Sequence, residues 1–105
     1  MQIDRVLYTP RKDVYYPGEV VYVSVLFREP FVGECEIGFA ALERGGAFRR
    51  TTCRQSTTRI YEGQINIQDD EVGPRVLEAA LTPVKGDAVT VAASDRIFQI
   101  QPLRP

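Results

Sequence analysis

Between Asp13 and Phe27 the chain reads DVYYPGEVVYVSVLF, and within this run Val21, Val23, Val25 and Phe27 recur at every second position. That is the period of a β-strand and not of a helix, so the run presents one continuous apolar row to a core. Pro17-Gly18 supplies its start. Proline presets φ at the first turn position, and glycine accepts the positive φ that a type II turn requires at the next. The rest of the chain is expected to arrange itself around this ribbon.

Most of what remains alternates in the same way. A strand is expected from Gln2 to Tyr8, ended by Thr9-Pro10 because proline cannot donate to a ladder. Its inward face is left open, since Ile3 and Leu7 oppose Val6 and Tyr8. After the Glu19 to Phe27 strand, Cys35, Ile37, Phe39 and Ala41 alternate with Glu34, Glu36 and Gly38. Glu43-Arg44-Gly45-Gly46 offers a hairpin, and the polar Ala47 to Arg54 segment reads as the returning edge strand. Gln55 to Thr58 reads as a turn. Tyr61, Ile65 and Ile67, then Leu77, Ala79 and Leu81, then Phe98 and Ile100 mark further strands, with a short Val89 to Val91 run before the last. Asp69 to Pro74 and Lys85-Gly86-Asp87 are loops. Strands separated by turns about every 8 to 12 residues predict an all-β fold, an immunoglobulin-like antiparallel β-sandwich of about seven to eight strands.

The 105 residues fit one domain over 1–105. A net charge of -1 argues against a general attraction to nucleic acid or anionic membrane. No apolar run approaches the roughly 20 residues that span a bilayer. The N-terminus lacks the basic and apolar regions of a secretory signal, which places the chain, as written, in a cytoplasm or a virion; excision from a longer exported protein would make it extracellular. The sequence contains no histidine, which removes the commonest general base and metal ligand together. No nucleophile–base pair, nucleotide loop, metal site or cofactor site can be named, so a non-enzymatic role is expected.

Four features remain as candidate contact sites. The second face of the Glu19 to Phe27 strand, with Val20, Tyr22, Ser24 and Leu26, is less polar than a row facing water should be. It is covered either by the same domain or by a partner, and Tyr15 and Tyr16 join it either as contact residues or as plugs at the end of the core. Arg49, Arg50, Arg54 and Arg59 form the strongest local charge bias. They suit an anion or acidic surface, or simply protect an exposed edge. Cys35 and Cys53 flank the glycine hairpin almost symmetrically, which allows a cross-strand disulfide, with two buried thiols the favoured reading. Asp69, Asp70 and Glu71 read as a solvated acidic turn in preference to a calcium loop.

Tyr15-Tyr16-Pro17-Gly18-Glu19, an aromatic-x-Pro-Gly-Glu turn, followed by a valine-rich strand resembles the opening of bacterial and phage immunoglobulin-like domains and of macroglobulin-like β-sandwich domains. Ile60-Tyr61-Glu62-Gly63-Gln64-Ile65, Leu77-Glu78-Ala79 and Arg96-Ile97-Phe98-Gln99-Ile100 are similar to the way such domains finish. The resemblance implies a stalk, spacer, recognition or assembly role, without cofactor. The expectation is a structural and protein-binding module among other subunits, homo- or hetero-oligomeric, such as a protein decorating a capsid or tail. The alternative is an extracellular adhesion or ligand-recognition domain.

Overall fold

A computed structural model describes residues 3–42, 49–93 and 96–103. Ten strands are found among them: β1 (Ile3–Thr9), β2 (Val14–Tyr15), β3 (Val20–Phe27), β4 (Gly33–Ala41), β5 (Thr51–Thr52), β6 (Arg54–Thr57), β7 (Ile60–Asn66), β8 (Gly73–Pro83), β9 (Val89–Ala92) and β10 (Phe98–Ile100). They form a four-stranded sheet in the order β1-β3-β7-β6 and a six-stranded sheet in the order β2-β10-β8-β4-β5, with β9 also paired to β8. The protein is an all-β sandwich of two sheets.

The PGE turn is built as its residues require. The Glu19 N–H donates to the Tyr16 carbonyl at 3.1 Å, and Gly18 at the third position has φ +93°. From there β3 lays Val21, Val23, Val25 and Phe27 into the core, all buried. Tyr61, Ile65 and Ile67 line the same sheet. Cys35, Ile37, Phe39, Leu77, Ala79, Leu81, Phe98 and Ile100 face them from the other sheet. Burying each large aliphatic or aromatic side chain contributes about 1.5–3 kcal/mol before conformational entropy is set against it. Both ends of the core are plugged by aromatic groups. Phe27 and Phe31 stack at 4.6 Å with Tyr61 edge-on, while Tyr8, Tyr15 and Phe39 surround Phe98 at the other end.

The chain crosses between the sheets at two edges. After Thr9-Pro10 it leaves the four-stranded sheet, and β2 joins β10 in parallel, so the sandwich is not wholly antiparallel. The pairing is held by Gln99 N–H to the Asp13 carbonyl and Gln101 N–H to the Tyr15 carbonyl, both at 2.9 Å. At the opposite edge, β5 pairs with β4, and Cys53 then carries the chain over so that β6 pairs with β7. The expected edge strand Ala47 to Arg54 is therefore split between sheets, and the expected turn at Gln55 to Thr58 is mostly strand β6. With β2, this accounts for the ten strands. The Glu43 to Gly46 hairpin and residues Ala47 and Phe48 lie outside the described residues.

Candidate protein-binding face

Pairing of β1, β3, β7 and β6 sets the outward side chains of the four-stranded sheet in rows. Leu7, Ser24, Glu62 and Arg54 stand side by side across the sheet. Arg5, Leu26 and Ile60 form the row on one side of them, and Thr9, Tyr22 and Gln64 the row on the other. Val20 follows, beside Asn66. Inward neighbours Tyr8, Val23, Val25 and Tyr61 are buried, whereas Leu7 is 51% and Tyr22 57% exposed. Val20, Leu26 and Ile60 are half-buried. The result is an apolar band across three strands, bordered by Arg5, Arg54, Glu62, Gln64 and Asn66. A shallow hollow of about 440 Å³ beside Tyr22 is lined by Ser24, Thr52, Arg54, Glu62 and Gln64.

Of the residues expected at a contact surface, Val20, Tyr22 and Leu26 are brought together here. Tyr16 is 38% exposed, at the turn leading into β3. Tyr15 is not a contact residue. It lies wholly buried, because β2 belongs to the other sheet and turns the side chain toward Phe39 and Phe98. Its hydroxyl donates to the Pro10 carbonyl at 2.6 Å and accepts the Lys12 N–H at 3.1 Å. Burial raises the phenol pKa, and the Lys12 backbone hydrogen bond opposes it. Leu7 and Ile60 were not singled out from the sequence. The register of β1 on β3 is the missing signal, since it decides that Leu7 faces outward and Tyr8 inward.

The arginine group is divided by its partners. Arg49 Nη2 donates to both carboxylate oxygens of Asp70 at 2.9 and 2.8 Å, and Arg50 stands 3.9 Å from Glu36. Both arginines thus have carboxylate partners within the chain. Arg54 and Arg59 are exposed, and Arg54 is the neighbour of Glu62. Asp69–Glu71 forms a single 3-10 turn. It is not uniformly solvated, because Glu71 is buried and accepts the Gln68 N–H at 2.8 Å. Among the described residues, no three His, Cys, Asp or Glu side chains converge on one point. Cys35 and Cys53 are free thiols, both buried.

Neither a family model nor a curated protein matches the chain. Among solved structures it is similar to an engineered protein, with a TM-score of 0.54 and 12% identity over 98% of this chain and 20% of that one. The chain spans about a fifth of that protein's length, and at this identity the likeness speaks to the fold alone.

Proposed function

We propose that this chain is a non-catalytic structural module that binds other protein subunits through the outer face of its four-stranded sheet. The observation that carries the reading is the joint exposure of Leu7 and Tyr22 beside the half-buried Val20, Leu26 and Ile60. Single exposed apolar residues are ordinary, but a band rimmed by charged and amide side chains has the anatomy of a contact surface. Tyr22 is a rigid, amphipathic anchor at its centre, the residue type enriched where interfaces hold their energy. The setting we assign is a small protein decorating a capsid or tail.

One observation favours a second reading, an extracellular adhesion domain: Cys53, just after β5, donates its N–H to the carbonyl of Cys35 on β4 at 2.8 Å, which brings the two cysteines side by side. Finding both as free thiols in protein from its native source removes that reading.

The contact face is tested by Leu7→Asp and Tyr22→Asp, with subunit incorporation measured on particles from the native source and self-association by light scattering. The expected result is loss of incorporation at unchanged melting temperature. Incorporation equal to the wild type for both variants overturns the proposal.

A further inference from the structure

Cys35 and Cys53 are drawn together by the pairing of β4 with β5. Glu36 stands opposite Thr52, so the next pair along is Cys35 with Cys53, and the Cys53 N–H donates to the Cys35 carbonyl at 2.8 Å. Residues directly opposite on antiparallel strands have Cα atoms about 4.5–5.5 Å apart, within the span of about 4.4–6.8 Å that disulfides bridge. Cys35 is fully buried, whereas Cys53, at the crossover between sheets, is 8% exposed. Gly63 makes room for the pair, since a Cβ there would lie 3.2 Å from Cys53 Sγ.

The neighbouring Cys53 thiol, together with burial, raises the pKa of Cys35, and the neighbouring Cys35 thiol lowers that of Cys53 against the effect of burial. Cys53 is also the thiol nearer solvent. The thiolate is the attacking species in thiol oxidation.

We propose that Cys35 and Cys53 form a redox-responsive pair that a hydroperoxide closes to an intramolecular disulfide, tying β4 to the crossover between the two sheets. Cys53 Sγ, its proton passed to water, attacks the peroxide, the O–O bond breaks, and an alcohol leaves with a proton from solvent. Cys53 is then a sulfenic acid. Cys35 Sγ attacks the Cys53 sulfur, the S–O bond breaks, and hydroxide leaves as water with the Cys35 proton. Two thiols lose two electrons, and the hydroperoxide is reduced to alcohol and water. The inference is independent of the contact face and of the setting assigned to the protein.

The test is to treat the fully reduced chain with hydrogen peroxide, unfold it, alkylate it and weigh it. The expected result is loss of both alkylatable thiols, a mass lower by two hydrogens, a linked Cys35–Cys53 peptide in a non-reducing digest, and recovery with dithiothreitol. The Cys35→Ser variant is expected to hold a dimedone-reactive Cys53, and Cys53→Ser to leave Cys35 unreacted. The wild-type measurement stands if either variant fails to fold. Two thiols that stay alkylatable, linkage only between chains, or Cys53 driven to sulfinate without linkage overturns the proposal.

Discussion

The Tyr16 N–H donates to Glu19 Oε1 at 2.7 Å, while the Glu19 N–H donates back to the Tyr16 carbonyl at 3.1 Å. The glutamate of the PGE turn thus closes the turn with its own side chain, and it also pairs with Lys12. The Lys12 hydrogen bond chiefly, with that from Tyr16, holds its carboxyl below the ordinary value of 4.5 despite some desolvation. A depressed folded-state pKa stabilises the fold above the unfolded value, and that contribution is lost as pH falls through the folded one. Glu19→Gln is expected to cost about 1 kcal/mol at neutral pH. In thermal melts from pH 7 downward, the gap between wild type and variant should hold until about pH 4.5 and narrow below it.

Tyr61 Oη donates to the Phe31 carbonyl at 2.7 Å inside the core. Tyr61→Phe keeps the ring packing against Phe27 and Phe31 but leaves that carbonyl without this donor. Urea unfolding should register a loss of about 1–2 kcal/mol with an unchanged slope.

Two glycines are expected to respond differently to alanine. At Gly33 a Cβ would lie 2.3 Å from the Thr82 carbonyl oxygen and 2.7 Å from Pro83 Cα, so backbone must move. At Gly18 nothing lies within 4 Å and only the φ of +93° opposes a side chain. Gly33→Ala should destabilise by about 3 kcal/mol or more, and Gly18→Ala by about 1–2 kcal/mol, both read from denaturant midpoints.

Neighbouring positions on β3 test its register. Val23 is 1% exposed and Tyr22 57%. Val23→Ala is expected to cost about 2 kcal/mol, while Tyr22→Ala should stay within about 0.5 kcal/mol of the wild type. Equal losses at both positions in chemical denaturation would mean that Tyr22 is covered by its own domain.

The long strands were legible because one face of each is buried. Val21 to Phe27, Tyr61 to Ile67 and Leu77 to Leu81 bear a period of two that only a half-buried ribbon needs, and the PGE turn carries its geometry in three residue types. All of strand β6 but Arg54 reads as a turn for the converse reason: Arg54–Thr57 is exposed throughout, and an edge strand without a buried face has no alternation to read. The two residues of β2 are too few to carry a period, so the sheet that Tyr15 joins could not be foreseen.

The order of residue types along the chain determined by itself that this protein is all-β, where its main strands run, and which of their faces turn inward, because burial pattern and turn chemistry are local. Only the tertiary structure decided that Leu7 joins Tyr22 on one open face, that Tyr15 is core, and that Cys35 meets Cys53. Each of these depends on which strand lies beside which and in what register, and that choice is made by packing between residues distant in the chain.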